Sequence, residues 1–277
     1  MPLDYSAYDQ FNISFPAEYV ALVETNRPKS LNSYNLKTWE QFGQIFIQMS
    51  DDSDIRVIVF GGEGRAFCSG LDIKEMGGFM SGDEDMEASR KAIKFRRFIT
   101  DFQDNIKQPH LCRKPIIAVC HGISFGLALD MISGMDIRIA AKDVKFSIKE
   151  ADIGLTADMG TLQRLPKVIN NLGWLKEVTY TARVFGAEEA YTQGLVTHVT
   201  EDKAAGMKKA LEMAVLIAEK SPVAVQGSKE TINYAIDHTI EDGLAQIANY
   251  NTFGVAGDTI EAAMSMAMKK KPTYEKL

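Results

Sequence analysis

Short runs rich in Val and Ile, each closed by turn residues, recur through the first half of this chain and constrain its fold more than any other feature. They are YVALVETN (19–26), IRVIVFGG (55–62), PIIAVCHG (115–122), DIRIAA (136–141) and VKFSI (144–148). β-Branched runs of this length bounded by turns predict strands. The stretches between them are amphipathic, as in SYNLKTWEQFGQIFIQMSDD (33–52), where apolar residues recur at helical spacing. Strand and helix in alternation predict an α/β fold with mostly parallel strands. From about residue 200 the strand pattern stops, and 201–222 and 225–254 predict helices. The chain therefore divides into an α/β core over 1–200 and a helical region over 201–277, with no Pro-, Gly- or Ser-rich linker between them.

Composition narrows the function classes. Of 277 residues 45% are hydrophobic and 25% charged, the balance of a globular protein with a sizeable core. A net charge of −6 argues against a general nucleic-acid surface. No segment approaches the length of apolar chain that a membrane span needs. The first residues, MPLDYSAYDQFNISF, are neither a secretory signal nor an Arg-rich transit peptide. Cys68, Cys112 and Cys120 show no paired spacing, which suits free thiols in a reducing compartment. The four histidines, His110, His121, His198 and His238, lack metal-ligand spacing, so no metal site is expected. Residues 77–91, GGFMSGDEDMEASRK, are acidic and poor in apolar groups, and predict a mobile loop leading into a helix, a candidate lid. The final Glu275-Lys276-Leu277 resembles a peroxisomal tripeptide with Glu in place of a small residue, a weak address.

Two strand-to-loop transitions share a design. In VIVFGGEGRAFCSGLDIKEM (57–76) a buried strand and glycine turn lead to Phe67-Cys68-Ser69-Gly70-Leu71-Asp72. In the second, the strand at 115–120 leads through His121-Gly122 to Gly126-Leu127, which open a helix. A helix start offers unpaired N–H groups and the positive end of a dipole. Two such groups aimed at one point would stabilise an oxyanion, although glycine turns after strands are also common as plain structure. Asp130 follows Leu127 on the same helical face, in the almost wholly apolar GLALDMISGM. No basic partner stands near it in sequence, which favours a working acid over a cap. Further along, KEADIGLTADMGTLQRLPKVI (149–169) places Glu150, Asp152 and Asp158 among small and apolar residues. Exposed loop positions would explain all three, and so would a site that uses carboxyls.

The residues quoted above, with NRPKSLNS (26–33), KPIIAVCHGISFGLALDMISGMDIRIA (114–140) and RVFGAEEAYTQGLVTHV (183–199), resemble the crotonase, or enoyl-CoA hydratase/isomerase, superfamily in order along nearly the whole chain. The resemblance implies a spiral of ββα units and a C-terminal helical region used for trimerisation, giving a homotrimer or a hexamer built as a dimer of trimers. It implies an acyl-CoA substrate whose thioester carbonyl is held by the backbone N–H groups of Leu71 and Leu127. It assigns coenzyme A contacts to Lys29, Ala66, Ser69, Gly70, Leu71, Asp72, Ile73, Lys74 and Gly126. No cofactor is implied, since coenzyme A is part of the substrate. The family often has Gly-Gly-Gly where this chain has Gly126-Leu127-Ala128; a backbone N–H survives any residue but proline.

Three acids select among members. Hydratases of the family carry glutamates matching 130 and 150 and usually glycine at 158, whereas this chain has Asp130, Glu150 and Asp158. That set resembles the dienoyl-CoA isomerase branch, which moves 3,5-double bonds to the 2,4-positions in the β-oxidation of unsaturated fatty acids. The resemblance assigns Asp158 as base at C2, Glu150 as acid at C6, and Asp130 to tuning the site or placing Glu150. C2 and C6 are too far apart for one carboxylate to serve both, so two are needed. Asp152 faces away from Glu150 if the strand continues, and has a structural role. The alternatives are a 2-enoyl-CoA hydratase, another acyl-CoA lyase of the family, or a silent relative that binds acyl-CoA or RNA. A peroxisomal or mitochondrial location follows from the resemblance and the C-terminal tripeptide.

Overall fold

The computed structural model describes residues 1–72, 86–254 and 256–277. Ile73, Lys74 and residues 77–85 of the candidate lid lie outside the described residues.

The chain opens with a hairpin, β1 (Phe11–Ala17) and β2 (Val20–Thr25), followed by α1 (Leu36–Asp51). Asn35 caps α1 by accepting from Thr38 N at 3.0 Å, and the buried Trp39, Phe42, Ile45, Phe46 and Met49 form its apolar stripe. Then come β3 (Val57–Gly62) and β4 (Ala66–Cys68), and the helices α2 (Ala88–Ile106) and α3 (Gln108–Leu111). They are followed by β5 (Ile116–Cys120), β6 (Ile123–Phe125), α4 (Leu127–Ser133), β7 (Ile137–Ala141) and β8 (Lys145–Ser147). After a short 3-10 turn at Glu150–Ile153, α5 (Thr161–Val168), α6 (Leu172–Thr181) and α7 (Ala187–Thr192) lead to β9 (His198–Thr200). Four helices close the chain: α8 (Lys203–Ala218), α9 (Pro222–Ala235), α10 (Ile240–Gly254) and α11 (Ala256–Ala267).

Strand pairing shows a spiral. The larger sheet has the order β1-β2-β3-β5-β7-β9, parallel except at the β1–β2 hairpin, and the smaller one is β4-β6-β8, parallel throughout. Each successive pair (β3 and β4, β5 and β6, β7 and β8) gives its first strand to the large sheet and its second to the small one. The five strand runs expected from sequence are all strands, with ends trimmed by one or two residues. The sequence patterns did not mark β1, β4, β6 and β9. Three of these are three residues long, too short for a period of two to appear.

Central strands of the large sheet are buried on both faces, which is why their sequences do not alternate. Ile58 and Phe60 of β3 enter the main core, while Val57 and Val59 face a second layer with Ala210, Ala214 and Ala218 of α8. Alanines at every turn let that helix lie close against the sheet. Residue 200 thus marks where strands stop, and the helix after it still covers the core.

Candidate active site

Parallel pairing sends β4, β6 and β8 out at one edge of the small sheet. Cys68 stands beside Ser124, and Phe125 beside Ser147. The loops leaving these strands therefore start side by side, and they carry Leu71, Leu127 and Glu150 to one cavity of about 110 Å³. Asp130, Asp158, Ser69, Gly70 and Gly126 also line it.

Two N–H groups at this cavity have no acceptor among the described residues. Leu71 bridges to Tyr34 through its neighbours: Tyr34 N donates to Gly70 O and Asp72 N donates to Tyr34 O, both at 2.9 Å. That pattern turns the N–H of Leu71 itself away from Tyr34. Leu127 is the first residue of α4, where no carbonyl one turn back exists to accept its N–H. Gly126, the N-cap, has φ 54° and ψ −115°, and a Cβ there would stand 3.2 Å from Glu150 Oε1. Only glycine gives both that backbone and that close approach.

The three acids differ in burial and so in proton affinity. Asp130 is fully buried in the first turn of α4, and its Oδ1 accepts from Thr161 N and Thr161 Oγ1, both at 2.7 Å. Burial and then the charge of Glu150 push its pKa up to about 7, against the Thr161 bonds and the Arg164 guanidinium. The expectation of an acid without partners is corrected here. Its partners come from the start of α5 and were invisible to local sequence. Glu150 is raised by burial, with its own backbone N–H opposing and the charge of Asp158 adding to the rise. Its Oε2 is buried and has no hydrogen-bond partner among the described residues. Asp158, half-buried, is raised by burial against its own backbone N–H. The charge of Asp158 thus adds to the rise at Glu150, and that of Glu150 to the rise at Asp130, so the three carboxyls are electrostatically linked.

Glu150 is not on a strand. The chain leaves β8 at Ser147 and enters the 3-10 turn, which corrects the premise about Asp152. Asp152 points elsewhere because it is on that exposed turn, paired with Lys149 at 2.8 Å.

A pH effect on stability follows from Asp130. Its proton is held more tightly in the folded chain, so its contribution is full below about pH 4 and lost as pH rises through about 7. Asp130→Asn keeps an oxygen acceptor for Thr161 and carries no charge. Its stability relative to wild type should climb between those values, by at most about 1.4 kcal/mol per pH unit for one proton, and level off above them, with Tm following. Melting curves across pH 4 to 8 check this, and a constant difference would contradict it.

The residues expected to contact coenzyme A are not all at the cavity. Ser69, Gly70, Leu71 and Gly126 line it. Lys29 is exposed on the turn at Pro28–Ser30, and Ala66 is buried in β4 with its carbonyl accepting from Asn32 Nδ2 at 2.7 Å. Asp72 pairs with Arg27 at 3.3 Å. Sequence reading missed Thr161 and Gln103, whose Nε2 donates to Asp158 O at 2.7 Å. No motif marks either, since both act across sequence separations larger than any local pattern spans. A larger groove of about 860 Å³ runs between α5, α8 and α9. It does not include the three acids, and Lys229 and Lys167 on its walls already pair with Asp136 and Asp237.

Comparison with known proteins places this geometry. The enoyl-CoA hydratase/isomerase family model matches residues 17–276. The chain is 38% identical over 266 residues to the mitochondrial Delta(3,5)-Delta(2,4)-dienoyl-CoA isomerase of Mus musculus, covering 96% of this chain and 81% of that protein. It is 35% identical over 254 residues to the peroxisomal Delta(3,5)-Delta(2,4)-dienoyl-CoA isomerase of Arabidopsis thaliana, covering 91% of each. Among solved structures, an enoyl-CoA hydratase from Bacillus anthracis superposes with a TM-score of 0.86 at 28% identity, over 96% of this chain and 99% of that one.

Proposed function

Because the chain belongs to the enoyl-CoA hydratase/isomerase family, we propose that it is a Δ3,5-Δ2,4-dienoyl-CoA isomerase of unsaturated fatty acid β-oxidation. The observation that carries the reading is the third acid, Asp158, at the same cavity as Glu150 and the two N–H groups.

The thioester oxygen accepts from Leu71 N and Leu127 N, which stabilise the negative charge that gathers there. Asp158, the half-buried acid of the three, takes a proton from C2. The C2–H electron pair becomes the C2=C3 bond, the C3=C4 pair moves to C4=C5, and the C5=C6 pair takes a proton from Glu150 at C6. Glu150 suits that donor role because burial raises its proton affinity above that of an exposed carboxyl. Proton exchange with solvent resets both acids. Asp130, tied to Thr161, tunes Glu150.

Coenzyme A would run from the cavity past Ser69 and Gly70 toward Lys29, without a further cofactor. A homotrimer, or a hexamer of two trimers, is supported by apolar side chains exposed on the last helices, such as Ile240 (78%), Leu244 (63%) and Met266 (77%). The same reading extends to a mitochondrial or peroxisomal location, the two compartments in the relatives' names. Among the described residues no helix is long and apolar enough to cross a membrane.

The purified protein given 3,5-octadienoyl-CoA is expected to produce the absorbance of a conjugated 2,4-dienoyl thioester with no additive. Efficient hydration of crotonyl-CoA with the diene left unchanged would overturn the proposal.

A further inference from the structure

The segment that carries Asp158 has little main-chain support. Leu155 N reaches Glu150 O at 3.0 Å, and Gly160 O accepts from Gln163 and Arg164. Between these points no main-chain hydrogen bond holds the chain, among the described residues. Side chains do the holding: Arg164 Nη1 makes a long bond to Met159 O at 3.5 Å, and two others act at close range. Asp130 grips Thr161 at the far end of the segment, and Gln103 Nε2 donates to the carbonyl of Asp158 itself at 2.7 Å.

Gln103 is well placed to act as a fixed point. It follows Phe102 on α2, and Phe102 packs edge-on against Trp39 of α1 with ring centroids 3.6 Å apart. Ile106, one turn on, is also buried. The helix is therefore anchored to the core at this turn, although its outer half is exposed. A carboxylate that must meet a carbon-bound proton tolerates little error in position, and displacement on the order of 1 Å lowers rates by about 10²-fold.

We infer that Gln103 is a positioning residue: through its bond to the Asp158 carbonyl, α2 sets where the Asp158 carboxylate stands relative to substrate C2. The inference rests on the isomerase reading and adds a residue to it. It also predicts a selective defect. The oxyanion N–H groups belong to other loops, so loosening Asp158 should spare binding of the thioester and slow only proton removal.

The test compares wild type with Gln103→Met, which keeps the length of the side chain and removes the donor. Gln103→Asn, whose amide falls one methylene short, is the second variant should the first fold poorly. Amide hydrogen exchange, which needs no substrate, is expected to speed up at the bonded amides of Leu155 and Thr161, which bracket the segment, and to stay unchanged over α4. With 3,5-octadienoyl-CoA, deuterium incorporation at C2 and kcat should fall about tenfold or more while KM stays within about twofold. Unchanged exchange at Leu155 and Thr161 would overturn the inference. So would faster exchange there with C2 incorporation at the wild-type rate, since the bond would then hold the loop without serving the chemistry. A wild type that leaves the diene unconverted defeats the isomerase reading instead, and the amide exchange still reports whether Gln103 holds the loop.

Discussion

Asp158→Asn is expected to lose deuterium incorporation at C2 and to turn over roughly 10²-fold or more slowly, the usual scale for removing a general base. Asparagine matches aspartate in size, so the loop and its bond from Gln103 should persist. What disappears is the ability to accept a proton at pH 7. Glu150→Gln should fall in rate by a similar factor for a different reason. Its base and both oxyanion donors remain, so C2 should still exchange with solvent while delivery to C6 stops. Glu150→Gln also removes the charge that helps to raise Asp130, so the Asp130 pKa should drop from about 7. Asp152→Asn, on the exposed turn and paired only with Lys149 among the described residues, should behave close to wild type. NMR of product formed in deuterated water separates the cases. Equal loss of C2 exchange in both acid variants would mean that the carboxyls act as one coupled pair.

Leu127→Pro should remove one of the two oxyanion donors and lower kcat by about 10²-fold, on the order of 3 kcal/mol. Proline is a good test residue here because Leu127 is the first residue of α4. At that position the missing N–H leaves no helical bond broken, and the fixed φ suits the helix start. The helix start should survive, but Leu127 is buried in the core, so the variant should melt lower by the cost of the lost packing as well as losing activity. Leu127→Ala is the companion that keeps the N–H, and it should retain most of the rate. A Leu127→Pro protein with normal turnover would show that the thioester oxygen is bound elsewhere. Loss of activity together with a collapsed melting curve would instead place the effect in folding.

Several features were legible before any coordinates. The Val- and Ile-rich runs identify the buried strands because a parallel strand covered on both faces must be apolar at every position, as β3 is. The apolar spacing over 33–52 declares α1. Gly126 before an apolar helical run marks a helix start, and with it the N–H of Leu127 at its first position. The three acids are legible as residues, and the likeness of their surrounding motifs to a known family is legible as pattern.

Only the tertiary structure decided how they meet. The strands β4, β6 and β8 are each three residues long, so nothing in their own sequence announces that they pair. Yet their parallel register is what brings Leu71, Leu127 and Glu150 to one edge. The partners of the acids were equally hidden. Asp130 looked solitary in its apolar helix because Thr161 arrives from a separate element, and Asp158 owes its placement to Gln103 on α2. Periodicity, capping and turn chemistry operate over a few residues, so they describe elements. Proton affinity depends on what surrounds a carboxyl in three dimensions, and that is why Asp130, Glu150 and Asp158 acquire different ones from much the same chemistry.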